Sequence, residues 1–399
     1  MRRLFFIIIL LGGFSCANAQ SSNTTRPSTD ISVGGRFITD IGYLNSDYTK
    51  LNSGAKLSDI RLRTSMISGS WKFFINLSFN NNMVKAKNIY ARYSLPDTKN
   101  SQSITFGYIK EPSSMARNVG NYKYHFISKA NSAEAFSTGR RIGILYKYID
   151  NHYFTSQGLF LENKDNNQDT GSQGIDFSGR WLFKAIHHNN RILHIGTAFS
   201  FQNINTGTSK NGIKKTNLSI KPSFNTELIS NVNFLNADIP YVSNVINYSI
   251  ESLFMTSKFF VRGEYMWKAV KKDVSDNILN ASLEANHFNG GYIETGIILL
   301  GGNYSYSKES SLMNGIISPK TIEIVARYNH TNLNDYSDFK YSSNMVSGGK
   351  LNSATIGVNY VVNRNVQFML NYSYNHLDNT NFPDDHNINL LQSRAIIYF

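Results

Sequence analysis

Hydrophobic and polar residues alternate with a period of two along nearly the whole chain, in stretches of about ten residues closed by turn-like links. Trp71, Phe73, Ile75, Leu77 and Phe79 interleave with Lys72, Phe74, Asn76, Ser78 and Asn80. Phe259, Val261, Gly263, Tyr265 and Trp267 interleave with Phe260, Arg262, Glu264, Met266 and Lys268, and Val366, Phe368, Leu370, Tyr372 and Tyr374 continue the pattern. Seventeen segments of this kind run from 32–44 to 389–399. Segment 214–225 breaks the rhythm and contains Pro222, so it is read as a loop and sixteen strands are predicted.

Link length separates a soluble sheet from a membrane barrel. Short links (Gly69-Ser70, Asn151-His152, Thr256-Ser257) alternate with long polar ones around 45–57, 111–138, 203–243 and 330–351. That rhythm fits the short periplasmic turns and long external loops of an all-β, antiparallel transmembrane barrel, with apolar faces toward lipid and polar faces toward water. The barrel must close, because lipid satisfies no open strand edge. Segment 301–319 is the exception, a long link where the rhythm asks for a turn.

Composition changes the picture at the ends. Charged residues make up 17% of the chain, against about 25% in an average domain. Mean hydropathy is −0.31, with no long apolar run past the amino terminus, which excludes helical spans. The single cysteine, Cys16, excludes a disulfide scaffold. Residues 1–19 read as a secretory signal peptide: Arg2 and Arg3, then the apolar Leu4 to Leu11, then Ala17-Asn18-Ala19 before Gln20. A lipoprotein leader at Cys16 lacks the aliphatic residue such a site needs. Residues 20–399 are then one barrel domain in the outer membrane. The chain ends on Leu391, Ser393, Ala395, Ile397 and Phe399 in one parity, a terminal strand with an aromatic last residue. Export argues against nucleic acid as a partner despite the net charge of +13.

Parity sorts the charges. Polar-face positions hold thirteen basic residues: Arg36, Arg61, Arg63, Lys72, Arg92, Arg141, Lys147, Arg180, Lys184, Arg262, Lys268, Arg327 and Arg394. They hold seven acids: Asp40, Asp59, Asp176, Glu251, Glu264, Glu294 and Glu323. A basic lumen within low-dielectric walls favours anions. The weighed alternative is that these charges pair across strands and brace the wall, chiefly Glu251, Glu264, Arg262, Glu294, Glu323 and Arg327. The amino-terminal group (Arg36, Arg61, Arg63, Lys72, Arg92) faces only Asp40 and Asp59, so a working basic patch is expected there. Loop 111–138 is the candidate constriction; it carries Arg117, Lys123 and Lys129 against Glu111 and Glu134, or it stays outside and binds lipopolysaccharide. Lys210, Lys214, Lys215 and Lys221 in loop 203–243 would draw anions to the mouth.

These residues bring a family into view: the chain resembles the phosphate-selective porins of the O and P type. Gly35-Arg36 with Asp40, Asp59-Ile60-Arg61-Leu62-Arg63 with Ser68-Gly69-Ser70-Trp71, and Gly107 to Pro112 with Gly139-Arg140-Arg141-Ile142-Gly143 carry the likeness. Arg262-Gly263-Glu264-Tyr265, Glu323 to Tyr328 and Gly357-Val358-Asn359-Tyr360 extend it. The resemblance implies a sixteen-stranded homotrimeric porin, phosphate or another inorganic anion as transported solute, and no cofactor. It implies anion-binding roles for Arg36, Arg61, Arg63 and Arg141, with Lys123 or Lys129 as loop partner; Lys72, Arg92, Lys214 and Lys215 are secondary. Two departures bear on phosphate: the second-strand arginines are separated by Leu62, and the fifth loop offers lysines where the family has an arginine ladder.

Other classes carry less. An outer-membrane hydrolase needs a nucleophile with a positioned base, and no G-x-S-x-G occurs; His187, His188 and His194 sit at a predicted turn and strand start, where a solvated turn is favoured over a metal site. A plugged barrel acting as a receptor, presenting its long Asn- and Tyr-rich loops, remains the main alternative to a channel.

Overall fold

The computed structural model of the chain describes residues 28–47, 50–51, 53–80, 83–96, 100–120, 125–163, 172–188, 191–205, 216–226, 228, 233–273, 285–336, 344–378 and 386–399. The leader, Lys123, Lys210, Lys214 and Lys215 lie outside them.

Sixteen antiparallel strands close into one barrel. They are β1 (Thr29–Ser46), β2 (Gly54–Ser68), β3 (Trp71–Asn80), β4 (Met83–Ser94), β5 (Ser101–Lys110), β6 (Arg140–Ile149), β7 (Tyr153–Leu161), β8 (Ile175–His188) and β9 (Arg191–Asn203), then β12 (Val242–Met255), β13 (Phe259–Lys272), β14 (Asn286–Leu300), β17 (Thr321–Asp335), β18 (Val346–Asn363), β19 (Val366–Asp378) and β20 (His386–Tyr398). Strand β1 seals the barrel against β20, in register from Arg36 opposite Tyr398 to Ser46 opposite Ile388. Among the described residues of segment 214–225, Leu218–Ile220 (β10) is extended, and it pairs outside the barrel sheet with Ala237–Ile239 (β11). The turn at Gly69-Ser70 works because Gly69 takes φ 56°, the left-handed conformation a tight hairpin requires.

The period-two pattern is the wall. Phe37, Ile41, Tyr43, Phe73, Ile75, Ile356, Phe368 and Leu370 point outward and are exposed, an apolar belt of the kind lipid wets. Aromatic residues flank it at both ends. Trp71 contacts Tyr93 and Phe106 near the short-turn end, while Tyr372 and Tyr374 donate to Asn389 and Asn387 (2.7 and 2.6 Å) toward the other.

The interior differs from a uniformly polar lumen. Toward the long-loop end, the inward residues Val245, Val270, Leu333, Leu351, Leu377 and Leu390 are buried and apolar. They form a collar that supports chain folded into the barrel. The link after β5 turns inward as two short helices, α1 (Met115–Asn118) and α2 (Asn131–Phe136), whose Met115, Val119, Ala133 and Phe136 join that apolar cluster. Helix α2 lies over β14 where Gly290 leaves room; a Cβ there would stand 2.7 Å from the Phe136 ring. Residues 221–226 of the loop after β9 join it, with Ser128 donating to the Asn225 carbonyl (2.9 Å).

A third insert enters from the opposite, short-turn end. The long link 301–320 folds back as a small hairpin, β15 (Tyr306–Ser307) with β16 (Leu312–Met313). The exception in the sequence rhythm is therefore a real insertion. The first insert packs on β13, β14 and β17, while the third reaches Arg92 on β4, Lys147 on β6 and Arg180 on β8.

Candidate functional site

Strand register decides which lumen charges meet. Arg36 lies opposite Arg61, an arrangement that like charges oppose. Asp59 relieves it, accepting from Arg36 Nε (2.9 Å) and Nη2 (2.5 Å) on one oxygen and from Arg61 Nε (3.0 Å) on the other. Ser78 Oγ adds a bond at 3.1 Å. Arg394 grips Asp40 through Nε (2.6 Å) and Nη2 (2.7 Å) and donates Nη1 to the Ile127 carbonyl of the first insert (2.5 Å). Arg63 lies between Gly34 and Asn76, and Lys72 opposite Arg92. Arg141 meets Glu111 (3.1 Å) and Asp176. Arg36, Arg61 and Arg141 thus each contact a carboxylate, and the single charge of Asp59 is shared between Arg36 and Arg61.

Further round the barrel, cross-strand bracing dominates, the alternative weighed from sequence. Arg180 makes a two-pronged pair with Glu251 (2.8 and 2.7 Å). Glu294 takes Arg262 (2.6 Å) and Arg327 (3.5 Å). Two glutamates instead anchor inserts. Glu264 accepts from Ser114 Oγ (3.1 Å), the Met115 and Ala116 amides (2.6 and 2.9 Å) and Tyr292 Oη (2.7 Å). Glu323 binds His125 Nδ1 of the first insert and Tyr304 Oη of the third, both at 2.7 Å, plus Asn359 Nδ2 at 2.6 Å.

A chamber of 180 Å³ lies between the β4–β8 wall, the first insert and the third. Asn88, Arg92, Thr105, Lys110, Lys147, Ser156 and Arg180 supply its polar lining; Tyr90, Ile109, Leu145 and Phe154 its apolar wall; Pro112, Asn118, Ser310 and Leu312 come from the inserts. Among the described residues no carboxylate lines it. Arg92 pairs with Glu309 at its edge and donates Nε to Thr105 (3.2 Å). Lys110 donates to the Arg117 and Val119 carbonyls (2.9 and 3.1 Å), and Lys147 to the Glu309 carbonyl (3.2 Å).

The first insert brings titratable groups to this side. Burial pushes the Lys129 ammonium down to about 7, with Arg117, Arg140 and Arg61 adding repulsion against the pull of Glu134. Burial pushes the Glu111 carboxyl up to about 7 although Arg141 opposes the shift. Arg140, beside these groups, donates Nε to Asn88 (2.7 Å). Of the residues singled out from sequence, Arg92 lines the chamber. Lys110 and Lys147 were visible only as a loop edge and one cation among thirteen, because alternation reveals facing but not which half of a lumen is filled. His194 is buried against Tyr306 Oη (2.9 Å) and His187 meets the Asn151 carbonyl (3.2 Å). Among the described residues no group of histidines, cysteines and carboxylates could hold a metal.

The geometry has parallels. The family model described as phosphate-selective porin O and P matches residues 31–399. An anion-selective porin from Comamonas acidovorans is similar at 11% identity, over 93% of this chain and 100% of that one, with a TM-score of 0.56. The outer membrane channel DcaP of Acinetobacter baumannii is similar at 11% identity, over 93% and 98%, with a TM-score of 0.58. OmpT of Vibrio cholerae in a trimer form is similar at 10% identity, over 93% and 100%, with a TM-score of 0.52. No curated protein sequence matches.

Proposed function

The chain belongs to the phosphate-selective porin O and P family, and from that premise we propose that its channel favours small anions, inorganic phosphate included, at the chamber along β4–β8. Membership makes the protein an outer-membrane porin, a channel rather than an enzyme. The anion preference is carried by one observation: Arg92, Lys110, Lys147 and Arg180 line the chamber, and among the described residues no carboxylate does. Low-dielectric walls concentrate the field of such groups on a narrow aqueous path. Lysine ammonium groups act there as mobile point charges, holding an anion briefly and releasing it, as conduction requires. The paired groups at Asp59, Asp40 and Glu294 brace the wall and inserts.

In this proposal residues 1–19 direct export and are removed, residues 20–399 form the single barrel, its outer face meets lipid and lipopolysaccharide, and three copies assemble. The test is a planar bilayer under a potassium chloride gradient. The reversal potential should lie toward the chloride equilibrium potential, and added phosphate should reduce the chloride current. A reversal potential on the potassium side refutes the anion preference. The three inserts favour a second reading, a barrel closed at rest that presents its loops to a ligand; protein that inserts yet shows no unitary conductance would select it.

A further inference from the structure

We infer that the chamber prefers organic carboxylates, anions with an apolar body, to inorganic phosphate. The inference rests on the anion-channel reading and names the solute class it serves.

Few charged donors in the chamber are left over. Arg180 spends its guanidinium on Glu251 and on the Ser310 and Ser311 carbonyls (both 3.1 Å). Arg92 is engaged by Glu309 and Thr105, and Lys110 by two carbonyls. Lys147 gives one N–H to the Glu309 carbonyl and keeps the others of its ammonium. Phosphate gives up hydration water only where donors surround it, since a polar group moved from water without new partners carries a large penalty. One ammonium with a few leftover guanidinium N–H groups suits a carboxylate head better. Neutral polar groups of Asn88, Thr105, Asn118, Ser156 and Ser310 complete the lining beside an apolar wall of Tyr90, Ile109, Leu145, Phe154 and Leu312. That surface offers phosphate nothing and an organic body a favourable contact.

The same pairing recurs past the third insert. A second cavity, of 680 Å³, lies at the short-turn end. Ile186, Met255, Tyr304 and Tyr306 give it apolar surface, His187 and Lys308 give it basic groups, and no carboxylate lines it. An amphipathic anion leaving the chamber meets the same chemistry again on the other flank of the insert.

The experiment measures block of chloride current through the full-length protein in planar bilayers by benzoate, acetate and phosphate. Benzoate should halve the current at about one tenth of the phosphate concentration, as burial of its ring predicts, with acetate weaker than benzoate. Lys147→Met should abolish benzoate block, and Leu312→Ser should weaken block by benzoate more than by acetate. Phosphate blocking at the same or lower concentration than benzoate in wild type, with anion selectivity intact, overturns this inference alone. Loss of anion selectivity in wild type overturns the channel reading beneath it. The wild-type comparison stands even where a variant disturbs the insert.

Discussion

Replacing Glu264 with alanine should release the first insert from the barrel wall. Its carboxylate accepts three bonds from the start of that insert, through Ser114 Oγ and the Met115 and Ala116 amides, and a fourth from Tyr292 Oη. Hydrogen bonds to a charged acceptor contribute about 1.5–3 kcal/mol each, so the three loop contacts total roughly 5–9 kcal/mol. Water entering the vacated space restores part of this, leaving a loss on the order of 3–5 kcal/mol. A loss of that size raises the undocked population by about two to four powers of ten. Other anchors persist, including Lys268 Nζ on the Ala135 carbonyl (2.8 Å) and Ser132 on Asn329 (2.7 Å), so Glu264→Ala frees the α1 end first. Single-channel recordings should show larger and noisier unitary conductance, and trypsin should cut faster after Arg117. Glu264→Gln, which keeps one acceptor oxygen but aims an amide at backbone donors, should fall between. Unchanged conductance, noise and cleavage in Glu264→Ala would refute the anchoring role.

Three further outcomes rest on other contacts of the inserts. Raising pH from 6 to 8 should weaken chloride preference: Glu111 and Lys129, both held near 7, each lose a proton, so the insert becomes more negative and less positive at once; a flat selectivity profile, or one that Lys129→Met leaves unaltered, would contradict this. Arg180→Met should lower the unfolding temperature and unsettle the third insert, since it takes the guanidinium from the buried Glu251 carboxylate, which keeps His194 Nε2 at 3.3 Å, a change of up to about 3–5 kcal/mol, and removes two carbonyl anchors. Arg92→Met should cost at most about 1 kcal/mol, because its partner Glu309 has a side chain 62% exposed; equal heat sensitivity of the two variants would count against the assignment.

Alternation made the barrel legible: facing in a strand is fixed by parity, and a one-residue slip would turn Trp71, Phe73 and Ile75 into the lumen. Strand β3 was delimited at both ends, and Pro222 correctly marked a segment that the barrel sheet does not use. Facing also put Arg36, Arg61 and Arg92 inside. Partnership was not legible, because it depends on which residues the register sets opposite each other. Asp59 serves both Arg36 and Arg61 only because β1 places those arginines face to face. Nor could alternation show that Val270, Leu333 and Leu377 point inward to hold inserts, since inward apolar residues at strand ends interrupt the pattern just where loops begin. The insert 301–320 left one trace, its excess length. Lys147 gains its place in the site from that insert and from the crowding of the opposite wall.

In the proposed anion channel the chamber, rather than the amino-terminal arginine cluster, sets ion preference. The most direct test compares Lys147→Met with Arg61→Ala/Arg63→Ala by reversal potential across one potassium chloride gradient. A unit charge about 5 Å from a passing ion, at an effective dielectric between that of a protein surface and water, contributes about 1–3 kcal/mol. Lys147→Met should lower the chloride-to-potassium permeability ratio several-fold, and the double variant should change it less, because Arg61 lies against Asp59 and neither arginine lines the chamber. Collapse of selectivity in Arg61→Ala/Arg63→Ala with Lys147→Met unchanged would contradict it.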